Sequence, residues 1–439
     1  MQVVSSYSVE ILHAKKIFQD TVDIYRKSLT YLIDVFSLEW NSFEVIEKNY
    51  ERISFANDLV HSTKRNVAKY DFDERFPKMP TYFRRAVVRA ALGILSSYHM
   101  NLEGWEKRGK KGARPRLILD HSDMPVFYND EMYRASKDND FGYIKLYIEN
   151  DWKFVRIDMR PTDLKYLRKY WSHVKASAPK LEKRYGKYYL RFAFDEKVKL
   201  SSTPVSEKRI CSVNLAANGI AVCSIMCADG TILARKFINF PSDTDHLQTV
   251  LNRIKKFNRN YGKQNVGSFW KYAFRLNMEL AKKISLGITD FAVLYSVDCI
   301  VVEHVDFENK NAKGSQDERL LIWQKNEILN HVTHKAHRSG IRVSSVCVWG
   351  STTLAYDGSG LVVPNKQNNA LCTFSNGKCY NRNLSASYNI GARYFIREIM
   401  KSSSVKMRSS IEAKVPECGR RTSCTLDTLR RVTAVLSAA

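Results

Sequence analysis

The sequence predicts a multidomain α/β protein in which a helical first part and a β-rich middle part precede an α/β second half. Its 439 residues are enough for two or three domains at roughly 150 residues per domain. Hydrophobic residues make up 44% and charged residues 26% of the chain, an ordinary balance for folded domains. Apolar residues have helical spacing up to about residue 105, alternate up to about residue 194, and then show both spacings.

The charge balance predicts a polyanionic partner. Lys and Arg number 70 against 45 Asp and Glu, which gives a formal net charge of +25. This excess is larger than solubility requires, and it leaves nucleic acid and an anionic membrane as candidate partners. Because the longest apolar runs fall far short of the roughly 20 residues of a membrane-spanning helix, we expect nucleic acid and no membrane.

Two further features indicate the compartment. The first ten residues are polar and strand-like, so we expect no signal peptide. Nine cysteines, an odd number, are scattered through a large chain and do not frame a short one. A reducing interior is the simpler interpretation, and we therefore expect a cytoplasmic, nucleoid-associated protein.

The helical first part contains one candidate DNA-reading helix. Pro77 and Pro80 interrupt the helical pattern, and a new helix is predicted after Pro80. It carries three arginines on one broad face, a residue type that reaches guanine edges in the major groove. These are Arg84, Arg85 and Arg89. A solvated helix face is the alternative interpretation.

The next segment is a basic loop. Residues 107–116 contain six basic residues in ten, interrupted by Gly and Pro, so a regular helix is excluded. Phosphate contacts are expected from five of them, Lys107, Arg108, Lys110, Lys111 and Arg114, although a plain linker would share this composition. Residues 117–194 then alternate as the strands of a small sheet or barrel do, and their aromatic residues either stack on bases or fill a core.

The second half has the element order of a ribonuclease H-like domain. Three strands are predicted at 210–216, 220–227 and 231–238, joined by the tight-turn pairs Asn218-Gly219 and Asp229-Gly230. A helical region at 245–296, a buried strand at 299–303, a helix at 319–339, a strand at 341–346 and a final helix follow. In such a fold, functional groups converge from the first strand, the end of the fourth strand and the last helix.

Several segments resemble TnpB, the transposon-encoded RNA-guided nuclease that is ancestral to type V CRISPR effectors. The resemblance is specific over about residues 207–400 and is carried by Ser212-Val-Asn-Leu-Ala, Ile300-Val-Val-Glu-His-Val and residues 381–395. It implies a helical recognition lobe and a small β-barrel (wedge-like) domain, followed by a ribonuclease H-like (RuvC) domain. The implied boundaries are 1–13 for the first wedge strand, 14–106 for the helical recognition domain, 107–206 for the wedge-like domain, 207–400 for the RuvC-like domain and 401–439 for a C-terminal tail.

The resemblance also identifies a degenerate catalytic centre. TnpB-like nucleases hold two divalent metals with three carboxylates, and the corresponding positions here are Asn214, Glu303 and Asn383. Each lost charge removes about 4 kcal/mol of attraction to a unit charge ~4 Å away at an effective dielectric near 20. We therefore expect no tightly bound Mg²⁺ and absent or vestigial cleavage. Taken singly, Asn383 could be a helix N-cap and Glu303 a paired core carboxylate.

The family's zinc motif is also degenerate. The RuvC-like domain of TnpB carries a zinc-finger insert, which corresponds here to about residues 347–380. The paired Cys-x-x-Cys motifs are missing, and only Cys347, Cys372 and Cys379 remain as weak candidate ligands. Their spacing does not resemble a structural zinc site, so we expect no zinc.

Together these features predict a nuclease-inactive, RNA-guided DNA-binding protein that acts as a transcriptional repressor. Its cofactor would be a guide RNA, and its target double-stranded DNA beside a short flanking motif, where a stable R-loop blocks transcription. One alternative is a TnpB-type endonuclease with residual activity that recruits Asp306 or Asp357. Another is a decayed transposon relic with nonspecific affinity for nucleic acid.

Overall fold

A computed structural model describes residues 1–14, 16–64, 66–117, 124–136, 140–184, 186–216, 220–262, 266–304, 316–347 and 349–438, with only the backbone of 316–319 and 321–322. The chain divides into two compact units. One comprises residues 2–196, and the other comprises residues 197–439 together with Met1. The mixed α/β, multidomain class that the sequence predicts is confirmed.

The first unit contains a bundle of helices. In chain order they are α1 (Gln19–Leu38), α2 (Trp40–Glu44), α3 (Asn49–Val60), α4 (Phe72–Arg75) and α5 (Thr81–Lys107). Apolar residues recur every three or four positions on α1 and α5, so each helix buries one face. Leu32 and Phe36 of α1 and Phe83 and Leu95 of α5 are fully buried in the same core.

The same unit contains two small sheets. Its strands are β1 (Gln2–Ile11), β2 (Tyr133–Ala135), β3 (Phe141–Ile148), β4 (Asp151–Asp158), β5 (Lys180–Arg184) and β6 (Lys187–Lys197), and a further helix, α6 (Pro161–Trp171), follows β4. The strand orders are β2-β3-β4 and β1-β6-β5. Within the described ranges these strands form two three-stranded sheets, and an isolated β-bridge between Ile11 and Met159 connects the end of β1 to the residue after β4.

The second unit is built on one five-stranded sheet. Its strands are β7 (Arg209–Leu215), β8 (Ala221–Cys227), β9 (Ile232–Ile238), β10 (Cys299–Glu303) and β11 (Arg342–Val346), in the order β11-β10-β7-β8-β9. The antiparallel meander β7-β8-β9 and the parallel strand β10 confirm the predictions. The Asp229-Gly230 turn is present, with Gly230 at a φ of +83°, whereas Asn218-Gly219 lies outside the described residues.

Helices cover both faces of this sheet. They are α7 (Pro241–Tyr261), α8 (Gly267–Leu294), α9 (Gln316–Arg338), α10 (Arg382–Ser402), α11 (Val405–Lys414) and α12 (Leu426–Ser437). One core contains side chains of α8 and α9, and another contains those of α10 and α12. The predicted helical region 245–296 is therefore two helices, because α7 ends at Gly262, which has a φ of +72°.

The segment 401–438, which lies in the predicted C-terminal tail 401–439, contributes several side chains to the core of this unit. Ile411 of α11 and Leu426, Leu429 and Val432 of α12 are buried with α10. Apolar residues with helical spacing in this stretch are the signal that separates it from a free tail. None of the helices in the described parts of the chain is long and apolar enough to cross a membrane.

Candidate functional site

Three polar side chains meet at one edge of the five-stranded sheet. Asn214 is the penultimate residue of β7, Glu303 ends β10, and Asn383 is the second residue of α10. The parallel pairing of β10 with β7 aligns Val301 with Ser212, and two residues further on it brings Glu303 level with Asn214. The structure therefore brings together the three positions that the sequence singled out.

A chain of buried serines fixes α10 on the sheet. The Ser212 hydroxyl lies 2.9 Å from that of Ser224, which lies 2.8 Å from that of Ser387 on α10. Gly391 permits the close approach, because a Cβ there would lie 2.9 Å from the Met226 methyl carbon. Since the helix cannot slide without breaking these bonds, the position of Asn383 relative to Asn214 is fixed.

The three side chains form hydrogen bonds or ion pairs with one another or with neighbouring groups. The Asn214 amide nitrogen donates to the Asn383 amide oxygen at 3.3 Å. The backbone N–H of Leu215 donates to Glu303 Oε1 at 3.0 Å, and Lys325 Nζ of α9 lies 3.5 Å from Glu303 Oε2. Asn214 and Glu303 are buried, with 3% and 9% of their surface exposed. Sequence reasoning missed Lys325, because no local pattern marks the lysine of a long helix that reaches this edge.

This arrangement does not fit a pair of divalent metals. Two-metal sites need several carboxylates to balance the charge of the ions, and here the negative charge of Glu303 is balanced by Lys325. Asn214 and Asn383 contribute only neutral amide oxygens. Across the residues with described placement, no group of three His, Cys, Asp or Glu side chains is arranged to hold a metal ion.

The structure tests the alternative roles that the sequence allows for single residues of this site. The N-cap of α10 is Asn381, whose side chain accepts from the Leu384 N–H at 3.0 Å, so Asn383 is not a cap. Glu303 is a paired, buried carboxylate. Asp357 is engaged in its own loop, where it accepts from the Ser359 hydroxyl at 2.7 Å and from the Asn376 amide at 3.1 Å. Asp306 lies outside the described residues.

The insert that would carry zinc has an aromatic core. Its strands are β12 (Val363–Pro364), β13 (Leu371–Thr373) and β14 (Cys379–Asn381). Cys372 pairs with Tyr380 and Thr373 with Cys379, so Cys372 and Cys379 lie on opposite faces of the hairpin. Cys372 is buried with Phe374, beside Tyr356 and Tyr380, and Cys347 is exposed.

The three arginines of α5 do not share one environment, and the prediction that they form one face is wrong for Arg84. Arg84 is buried, with 6% of its surface exposed, and forms an ion pair with Asp73 Oδ1 at 2.7 Å. Arg85 and Arg89 are exposed and lie one helical turn apart. The Arg85 guanidinium lies 5.3 Å from the centre of the Tyr82 ring.

The basic loop leaves the end of α5 without regular structure, as predicted. All five candidate phosphate contacts are exposed. Lys107 is the last residue of α5 and pairs with Glu103 at 2.5 Å. The Trp105 indole donates to the Gly112 carbonyl at 3.2 Å, which ties the loop back to the helix.

A basic groove lies beside this loop in the same unit. It has a volume of about 1020 Å³ between α5 and β5. Its cationic lining residues are Arg26, Arg116, Lys180, Lys183, Arg184 and Arg191. Glu182 also lines the groove and pairs with Arg184 and Arg191. Sequence reasoning missed the groove because its cations come from segments far apart in the chain.

Comparisons with known proteins give the following similarities. Residues 5–148 match the Aq_aa04 family. No curated protein matches the chain. A structure of a Cas12f1–sgRNA–target DNA complex is 13% identical, with a TM-score of 0.49 over 81% of this chain and 76% of that one. A CRISPR-Cas12f ternary complex is 13% identical, with a TM-score of 0.30 over 85% and 82%. An AacC2c1–sgRNA complex is 8% identical, with a TM-score of 0.40 over 86% and 69%.

Proposed function

We propose that the protein binds a guide RNA, uses it to recognise matching double-stranded DNA, and holds that DNA without cutting it. In this proposal the chain is a nuclease-inactive relative of TnpB. The observation that carries it is the centre at the edge of the five-stranded sheet. A ribonuclease H-like strand order brings the three expected positions together, and one carboxylate, neutralised by Lys325, remains among them.

The charge of the first unit supports the nucleic-acid part of the proposal. The groove between α5 and β5 has six cationic side chains along its walls, and one of them, Arg116, is the last residue of the exposed basic loop. Cations clustered along a groove match the spaced phosphates of a nucleic-acid backbone. Sequence recognition would then come from base pairing with the guide, and only a short flanking motif would be read by the protein.

A complex of this kind would persist, because no cutting step releases the DNA. Bound over a promoter, it would exclude RNA polymerase, so we propose transcriptional repression as its biological role. The geometry does not favour residual cleavage, since both oxygens of Glu303 are engaged and Asp357 is hydrogen-bonded within its own loop.

The test begins with the RNA that co-purifies with the full-length protein. Sequencing this RNA should give one structured species that ends in a short guide. With that RNA, the protein should bind matched DNA and leave it intact in Mg²⁺ or Mn²⁺, and Glu303→Ala should hardly change the affinity. A matching site near a promoter should lower the output of a reporter gene.

Two results would overturn the proposal. Guide-dependent cutting by the unmodified protein that Glu303→Ala abolishes would support the endonuclease alternative. A heterogeneous mixture of co-purifying RNA, with equal affinity for matched and unmatched DNA, would support a relic that binds nucleic acid nonspecifically.

A further inference from the structure

The helical hairpin formed by α7 and α8 has a charge pattern that the nuclease-like centre does not use. From His246 to Met278 the chain contains seven Lys or Arg residues and no Asp or Glu. A solvated helix usually mixes both signs, because opposite charges one turn apart stabilise it. A segment with charges of one sign attracts a polyanion.

One face of the hairpin, here called the ring face, carries aromatic side chains. It consists of His246, Phe257 and Tyr261 on α7 and Phe269 and Tyr272 on α8. The Phe257 ring lies 4.9 Å from that of Tyr261 and 5.9 Å from that of Phe269, centre to centre. The His246 Nε2 lies 3.1 Å from the Tyr272 hydroxyl. The rings therefore form two groups on the hairpin, Phe257–Tyr261–Phe269 and His246–Tyr272, and each group joins α7 to α8.

Of the five rings, Phe257 is partly buried and packs against the core of the hairpin. The space between the helices is already occupied by buried side chains such as Leu247, Ile254 and Ala273. On the ring face, Tyr261 is 72% exposed, Phe269 is 40% exposed and Tyr272 is 42% exposed. Exposing three aromatic side chains on one helical hairpin is costly in water, and exposed apolar patches mark interaction surfaces.

Cations surround the ring face. Arg253, Lys256, Arg259 and Lys271 are exposed, and none of them forms an ion pair or hydrogen bond with another residue in the described ranges. Arg253 is four residues before Phe257 and seven after His246, so it lies on the same side of α7 as these rings. Positive charges that have no partner among the residues the structure describes remain available to phosphates.

We propose that the ring face binds single-stranded nucleic acid, with bases stacked on its rings and phosphates contacted by the surrounding cations. Rings can stack only on bases that are unpaired and open on one face, which a duplex does not offer along its length. A second copy of this chain is disfavoured as the occupant because it would bring a net charge of +25 and the same cationic hairpin. The inference does not require a guide.

The test measures fluorescence anisotropy of the full-length protein, without guide, with labelled (dT)20, (U)20 and a 20-base-pair duplex. Phe269→Ala/Tyr272→Ala should weaken binding of the single strands by at least about fivefold, because one stacked base contributes at least that much. The salt dependence of single-strand binding by this variant should equal that of the unmodified protein. Arg253→Ala/Lys256→Ala/Lys271→Ala should instead reduce the slope of log K against log salt by about 0.7 per cation.

The matched control is Phe274→Ala. Its ring is 44% exposed on the same helix but lies on the other flank, 5.5 Å from the Trp323 ring. The control should retain single-strand affinity, and circular dichroism should show all variants folded. Phe269→Ala/Tyr272→Ala should lower the affinity more for one of the two strands. A larger loss for (dT)20 identifies the ligand as DNA, and a larger loss for (U)20 identifies it as RNA. Three results would overturn the inference. Phe274→Ala could lose as much single-strand affinity as Phe269→Ala/Tyr272→Ala, or the latter variant could lose as much affinity for the duplex as for the single strands. The third result is self-association in sedimentation without nucleic acid that depends on these rings.

Discussion

Lys325 Nζ lies 3.5 Å from Glu303 Oε2, so the one carboxylate of the Asn214–Glu303–Asn383 cluster faces a cation supplied by the chain itself. The pair is only partly exposed, at 30% for the Lys325 side chain and 11% for that of Glu303. In a two-metal nuclease the ions provide positive charge at such a carboxylate. Here α9 provides a positive charge at the buried Glu303 carboxylate.

Removal of this cation should destabilise the protein. Lys325→Met leaves the buried Glu303 carboxylate with one hydrogen bond and no opposite charge, so we expect a loss of about 1–3 kcal/mol in the free energy of unfolding. Urea titration of Lys325→Met, Glu303→Gln and the double variant measures this. The double variant should be more stable than the sum of the single losses predicts, and strict additivity would mean that the pair contributes nothing.

Restoring metal binding should require three substitutions. Asn214→Asp/Asn383→Asp restores the carboxylates, but Lys325 still opposes an incoming cation. Adding Lys325→Gln should tighten Mn²⁺ binding by at least about tenfold, because a unit charge ~4 Å away contributes ~4 kcal/mol at a dielectric near 20 before hydration offsets it.

Calorimetric titration with Mn²⁺ measures this difference. Lys335→Gln is the matched control, since Lys335 lies in the same helix but about 15 Å further along it. The control should not improve on the double variant. If it helps as much as Lys325→Gln, general charge and not the Lys325–Glu303 pair controls the affinity.

The sequence predicts the strands and the three positions of this centre because short-range patterns encode them. Alternation and tight turns mark β7 to β9, and an apolar run marks β10. Lys325 and the groove could not be predicted, because each depends on which residues of distant segments meet after folding. Arg84 shows the same limit, since helical spacing places it near Arg85 but does not show that Asp73 covers it.

The arginines of α5 should separate into a structural and a binding group. Arg84→Ala should lower the free energy of unfolding by about 1 kcal/mol, because it removes a buried side chain and its ion pair with Asp73, which is partly exposed and keeps its contact with His61. Arg85→Ala/Arg89→Ala should change the free energy of unfolding by less than about 0.5 kcal/mol. It should weaken the binding of matched DNA more than the binding of guide RNA. Urea titration and binding assays on both variants test this. Equal weakening of DNA and RNA would indicate general electrostatics.

The basic loop should determine part of the salt dependence of RNA binding. Replacing Lys107, Arg108, Lys110, Lys111 and Arg114 by Ala should reduce the slope of log K against log salt by about 0.7–0.9 for each lost phosphate contact. Lys107 already pairs with Glu103, so we expect fewer than five contacts. Lys153→Ala/Arg156→Ala on β4, whose cations are paired with Glu149 and Asp158, is the control. An unchanged slope would exclude the loop from the interface.

Asp298 should make the second unit sensitive to acid. Burial alone would raise the pKa of this carboxyl, but hydrogen bonds from the hydroxyls of Ser201 and Thr203 and from the backbone N–H of Arg209 outweigh burial and lower it. The Ser201 hydroxyl donates to Oδ1 at 2.6 Å and the Arg209 N–H to Oδ2 at 2.9 Å. Asp298 directly precedes β10, and Arg209 is the first residue of β7. The ionised Asp298 side chain therefore links the starts of these two strands.

The sign of the effect follows from proton binding. The folded state holds this carboxyl at a lower pKa than the unfolded chain, whose Asp residues titrate near about 3.9, so the unfolded state binds more protons in acid. The stabilisation is complete above the unfolded value and is lost as the pH falls through the folded one. Asp298→Asn should cost about 1 kcal/mol at pH 7, and its difference from the unmodified protein should shrink below about pH 4. Urea titrations from pH 7 to pH 3.5 measure this, with Asp245→Asn on the exposed side of α7 as control. If the difference in unfolding free energy between Asp298→Asn and the unmodified protein stays constant with pH, the Asp298 charge does not stabilise the fold.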